Sequence, residues 1–138
     1  MNQTMKPSDA YAILDNNYNC CENSFIYDLY EKKRFSRQLF WEYYDSIISL
    51  AEDALVNGRS IETARKLTFT YQHILKELLF HFDPSDSSVL KRLPRNYPKY
   101  IDRLDGALDA YFRGIFIDEN LYDLQREPPS ALHHHTHP

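Results

Sequence analysis

Glycine is scarce in this chain, with three in 138 residues. So small a supply leaves no glycine-rich phosphate loop, and it suits helices joined by short turns. Cysteine is limited to Cys20 and Cys21. Being adjacent, they would strain an ordinary bridge between themselves, so free thiols of a reducing compartment are expected. No stretch approaches the roughly 18 to 20 apolar residues needed to cross a bilayer. Met1 to Asp9 lacks the apolar centre of a signal peptide. Cytoplasmic residence with no membrane partner is the expectation. Basic excess is missing too: the net charge is −4, which argues against a nucleic-acid partner. The usual hydrolase signatures are absent: no Gly-x-Ser-x-Gly, no His-Glu-x-x-His, no informative Cys–His spacing. An enzyme is not expected, and neither is a cofactor.

Aromatic residues are plentiful, with 11 Tyr and 8 Phe. A tyrosine buries its ring while its hydroxyl stays wet, so core edges and partly apolar surfaces both use it. Hydrophobic residues at 43% and charged ones at 26% are ordinary for a globular chain, and the length suits one domain with its own core. The domain spans residues 1–127. Residues 128–138 read as a flexible tail of proline and histidine. Its His133-His134-His135-Thr136-His137 run could bind nickel, copper or zinc, or be a degenerate affinity tag.

Two long amphipathic helices dominate the pattern. Leu39, Tyr43, Ile47, Leu50, Ala51 and Ala54 recur at helical spacing from Ser36 to Asn57. Leu67, Tyr71, Ile74, Leu78 and Phe82 do so up to Asp83-Pro84, where the residue before proline leaves the α region. Between them Asn57-Gly58 supplies a left-handed stop and Ser60 an N-cap before an acidic first turn. Glu52 and Asp53 should face water. A third helix from about Pro98 to Phe112 carries Tyr100 or Ile101, Leu104, Ala107, Leu108 and Tyr111, and Gly106 suggests close helix packing. Shorter helices are expected from a Ser8-Asp9 cap to Leu14, ahead of a break at Asn16, Asn17 and Asn19, and from Ser24 over Phe25 to Arg34. A turn or two of helix is expected around Val89, Leu90 and Leu93. The fold class is therefore all-α, a single mostly antiparallel bundle of four to five helices. The apolar Ile115-Phe116-Ile117 must be buried or bound.

Three clusters invite chemistry. His73, Glu77 and His81 form a sensible set of metal donors at i, i+4 and i+8. Eight residues of helix rise about 12 Å, so the outer two cannot share one ion, and surface roles without metal are expected. Lys91, Arg92, Arg95, Lys99 and Arg103, interleaved with Tyr97 and Tyr100, are either a binding patch or a solvated face paired with Asp102 and Asp105; the face is preferred. Tyr43-Tyr44 beside Trp41 is either an aromatic platform or core, and core is preferred.

The order of signals resembles the flagellar export chaperones of the FliS type, small helical bundles. Tyr44-Asp45-Ser46-Ile47 resembles the tyrosine-aspartate step of that family's first long helix. Ile48 to Leu55 with Asn57 resembles the rest of that helix and its turn. Gln72-His73-Ile74-Leu75-Lys76-Glu77-Leu78 resembles the close of the second, and Tyr97 with Arg103-Leu104 a step in the third. The match covers about half the chain, whose N-terminal segment is longer and whose Pro94 and Pro98 interrupt a connection that should be helical. The resemblance implies a chaperone that keeps flagellin monomeric by seating a helical segment in hydrophobic grooves. Leu39, Tyr43, Ile47, Leu50, Leu67, Tyr71, Ile74 and Leu78 are then core. The second apolar rows, Phe40, Tyr44 and Ile48 with Leu75 and Leu79, are the partner-binding residues. The alternative is a small acidic inhibitor, an immunity protein or antitoxin, steering onto a basic toxin through Glu52, Asp53, Asp102, Asp105 and Asp109.

Overall fold

A computed structural model describes residues 5–87 and 89–126, so the tail expected at 128–138 lies outside the described residues. Five α-helices follow one another: α1 Pro7–Tyr18, α2 Phe25–Tyr30, α3 Arg37–Asn57, α4 Ile61–His81 and α5 Tyr97–Arg113, then a short 3-10 turn Glu119–Leu121. No strand forms among the described residues. A single parallel bridge joins Arg34 to Lys91, the loop before α3 to the loop before α5. The all-α bundle expected from periodicity is what the chain forms.

The long helices begin and end for the reasons their sequences announce. Ser36 Oγ accepts from the Leu39 N–H and Ser60 Oγ from the Thr63 N–H, each satisfying a donor that the first turn leaves orphaned. Gly58 closes α3 at φ 90° and Gly114 closes α5 in the left-handed region, which a side chain would resist. Helix α3 is the centre of the molecule, packed between α1 and α5, while α4 lies across α1 and α2 and touches α5 at few points. Tyr43, Ile47, Leu50, Leu67, Ile74 and Leu78 are core as expected, whereas Leu39 and Tyr71 are only half-buried. Leu39 and Tyr71 sit at the edges of their apolar stripes, where a helix turns toward solvent. Glu52 and Asp53, expected to face water, are half-buried.

Departures are local. Helix α1 runs on past Leu14 to Tyr18, because Asn17 is not a breaker but a buried connector. Its Nδ2 donates to the Ile13 carbonyl at 2.9 Å and its Oδ1 accepts from the Ile26 N–H at 3.1 Å. That helix starts at Pro7 rather than from Ser8-Asp9. Helix α2 stops at Tyr30, and Asp28, fully buried, holds Arg34 at 2.8 Å. The described residues around Val89, Leu90 and Leu93 form no helix, since Leu90 and Lys91 spend their amides elsewhere. The Leu90 N–H donates to His81 Nδ1, and the Lys91 N–H to the Lys33 carbonyl. Gly106 admits not a helix but the ring of Tyr122: a β-carbon there would lie 1.5 Å from the Tyr122 hydroxyl.

Candidate functional site

One face of the bundle is closed by the chain itself. Past Gly114 the backbone returns along α3 and α5, and Arg103 is the reason it stays. The guanidinium is fully buried on α5 and donates through Nε and Nη2 to the Leu124 carbonyl at 2.9 and 2.7 Å. Nη1 donates to Tyr44 Oη at 2.9 Å and forms an ion pair with Glu119. Trp41, Tyr44 and Tyr122 place their rings 5.5, 5.4 and 4.6 Å from the same cation. Each such contact is worth about 2 kcal/mol when desolvated. Arg126 adds a second cation over Trp41 and Tyr44 and pairs with Asp45. Burial pushes the Tyr44 hydroxyl well above its ordinary pKa, with Glu119 adding to the rise, so it serves as a neutral donor to Glu119.

This arrangement corrects half of the expected partner-binding row. Phe40 and Tyr44 have no exposed surface, so neither lines a groove. Phe40 stacks among Phe25, Phe35, Trp41 and Tyr100, and Tyr44 lies under Arg103 and Arg126. Ile48 is half-buried against the core. A helix-long apolar stripe does not say which element covers it, and here aromatic rings cover Phe40 while the returning chain covers Tyr44. Trp41, Tyr43 and Tyr44 are likewise core rather than an aromatic platform.

The other half of the row has a different setting. Helices α4 and α5 run antiparallel: the Ser60 N–H donates to Tyr111 Oη, Tyr71 Oη donates to Asp105, and the Phe82 and Tyr97 rings lie 5.2 Å apart. Leu75 falls on the same face of α4 as Tyr71 and Phe82, and Ile101 on the face of α5 that carries Tyr97 and Asp105. The register places Leu75 opposite Ile101, between the Tyr71–Asp105 and Phe82–Tyr97 contacts. Leu75 and Ile101 are half-buried, Leu79 is 69% exposed and Phe82 54%. Leu75 and Leu79 therefore stand together on the face of α4 that turns toward α5, the first half-buried and the second exposed.

The remaining clusters disperse. Glu77 is buried, with its Oε2 3.5 Å from His73 and its Oε1 3.9 Å from Lys33, while His81 accepts from Leu90. Among the described residues no three His, Cys, Asp or Glu side chains stand close enough to hold a metal. The basic run is divided: Arg103 is buried, Lys99 lies 3.9 Å from Asp123, and Lys91, Arg92 and Arg95 are exposed. The carboxylates divide too, Asp105 accepting from Tyr71 and Asp109 pairing with Arg113 at 3.0 Å. A shallow crease of about 240 Å³ opens between Lys99, Asp102 and Leu121–Leu124. That volume is below the roughly 300 Å³ at which small-molecule sites begin.

Comparison with known proteins returns no counterpart. No family model, no curated protein and no solved structure matches the chain. Sequence reasoning missed Glu119, Tyr122 and Arg126, and it placed Arg103 on a solvated basic face, where the structure buries it. Only one signal pointed to them: an arginine, Arg103, set among the apolar positions of α5 beside Leu104 and Ala107. No helix of the described residues is long and apolar enough to cross a membrane.

Proposed function

We propose that this chain is a non-enzymatic protein-binding module that seats an apolar helical segment of a partner in a furrow between α4 and α5. The observation that carries the reading is the exposure of Leu79 and Phe82 beside a helix pair that touches at few points. Paired helices usually bury such rows against each other, and an unfilled row at helical spacing fits an amphipathic helix with anchors at i, i+3, i+4 and i+7. The FliS-like chaperone suggested by the resemblance is one form of this reading, with an exported helical protein such as flagellin as the partner and the cytoplasm as the place of action. The furrow's polar contacts, Tyr71 with Asp105 in particular, would set register rather than supply most of the affinity.

The test is capture from a lysate of the native host followed by mass spectrometry, with the full chain and with Leu79→Asp and Leu75→Asp variants. One helical protein at near-equal amount, lost in both variants while circular dichroism holds, supports the reading. Retention of the same protein by both variants sinks it.

A further inference from the structure

Helix α4 ends on an imidazole that works as an acceptor. His81 lies in the last turn of α4, and its Nδ1 takes the Leu90 N–H at 2.8 Å. The one proton of a neutral ring must then sit on Nε2. Leu90 packs into the core with 4% of its surface exposed, so an unpaired amide there would be poorly hydrated. The next residue carries the seam onward. The Lys91 N–H donates to the Lys33 carbonyl at 2.7 Å, and the Phe35 N–H donates to the Lys91 carbonyl at 2.9 Å. Two adjacent residues thus tie the end of α4 to the chain ahead of α3. Lys33 and Arg92, at the two sides of the seam, hold φ of 52° and 61°, the left-handed region that side chains resist. The seam keeps them there against that strain.

We propose that His81 and Leu90 form a proton-sensitive clasp, which holds the chain leading into α5 to the end of α4 and lets go when the imidazole is protonated. A proton on Nδ1 turns the acceptor into a donor and sets two N–H groups against each other, so the bond cannot persist in that form. Imidazole is the side chain whose charge ordinarily changes between about pH 5 and 8. The released cation is also favoured where it stands, because the last carbonyls of α4 attract positive charge. Other ionisable groups on the elements that meet here tune the midpoint. Glu77 and His73 stand one and two turns back on α4, with Lys33 of the loop before α3 at 3.9 Å from Glu77. Asp83, Asp86, Lys91 and Arg92 lie on the chain after α4, and the charge of Asp86 reaches Glu77. From α5, Tyr97 meets the neighbouring Phe82. Carboxylates favour the proton and cations oppose it. The direction does not depend on that balance, since the bond exists only with a neutral ring.

Amide hydrogen exchange of the full chain, read residue by residue by NMR, tests the clasp. Protection at Leu90, corrected for the intrinsic rate, should fall at least tenfold from about pH 7.5 to about pH 5, while amides in the middle of α3 keep theirs. His81→Asn offers a neutral acceptor in place of Nδ1 and should hold Leu90 protection level across that range. His73→Gln should leave the native fall in place. Equal protection of Leu90 at both ends of the range overturns the clasp. So does a fall that persists in His81→Asn or disappears in His73→Gln. Glu77 cannot imitate the expected result: a carboxyl whose pKa burial raises weakens the fold as pH rises, which is the reverse sign. Nitrogen NMR shifts of the His81 ring need no variant. A bare Nδ1 that gains its proton as Leu90 protection falls supports the clasp, and a proton on Nδ1 already at neutral pH overturns it.

Discussion

The hydroxyl of Tyr122 occupies the space that a side chain on Gly106 would need, with 1.5 Å between its oxygen and an ideal β-carbon. Alanine at 106 would ordinarily favour the helix by about 1 kcal/mol. Here it must expel the ring. The expected outcome is a sign change between backgrounds. Gly106→Ala destabilises the native chain, yet stabilises a Tyr122→Ala chain by about 1 kcal/mol. Urea melts of the four proteins in the cycle check this, and parallel effects in both backgrounds would refute the contact.

Arg103 is the part of that closure that cannot be exchanged for another cation. Lysine has no planar fork with which to meet the Leu124 carbonyl twice and Tyr44 and Glu119 at once. Arg103→Lys and Arg103→Ala should therefore both cost about 3 kcal/mol, the scale for breaking a buried ionic cluster. The only tryptophan, Trp41, lies under the guanidinium, so its emission should shift as the returning chain loosens. A lysine variant of native stability and emission would refute this role.

Glu77 makes stability depend on pH in a stated direction. Burial pushes its carboxyl above the ordinary pKa, outweighing the pull of Lys33 and His73. The folded chain therefore holds that proton more tightly than the unfolded one. The contribution of Glu77 is neutral below the ordinary carboxylate pKa, and it turns unfavourable as pH rises through that value and on to the raised one. Burial raises Glu42 and Asp45 as well, with the same sign. Glu77→Gln should flatten the fall in melting temperature with rising pH, its gain over the native chain growing from acid toward neutral. A gain of equal size at every pH would contradict the assignment.

Asn17 should be among the costlier single polar losses. Replacing it by Ala strands the buried Ile26 amide and frees the Ile13 carbonyl, at about 1 to 3 kcal/mol. Asn17→Asp keeps the acceptor for Ile26 while losing the amide donor. It should nevertheless fold less well at neutral pH, because the site would then hold a charge. Denaturant midpoints of both variants decide it.

The salt response of partner capture separates the furrow from the carboxylates. Apolar burial at Leu75 and Leu79 should bind with little loss as ionic strength rises. An acidic site on Asp102, Asp105 and Asp109 would lose association rate steeply. Stopped-flow association at two salt concentrations, with the captured partner, provides the measurement.

Much of the architecture was legible because local chemistry and periodicity agreed. Ser36, Gly58, Ser60 and Gly114 bound their helices, and the apolar positions of α3 to α5 repeat at a helical period. What covers each stripe was not legible. Phe40 and Leu75 look alike in sequence, each beside a core position, yet one is sealed by aromatic neighbours and the other is half-buried beside an exposed Leu79. That difference is decided by rings from α2, the loop before α3 and α5, namely Phe25, Phe35 and Tyr100, which meet Phe40 only in the folded chain. Asn17 misled for a related reason. Its amide breaks helices when it bonds locally, but here it bonds to another element, and only the tertiary contact reveals that.

The Leu124 carbonyl that receives Arg103 lies 21 residues further along the chain. A growing polypeptide therefore makes the cation well before its acceptor. Until Leu124 is made, the guanidinium lacks the carbonyl that receives its Nε and Nη2 hydrogens. The seal that Arg103 makes over Trp41 and Tyr44 is therefore completed only after Leu124 has been made, although the rest of α3's partners on α1 and α2 precede it.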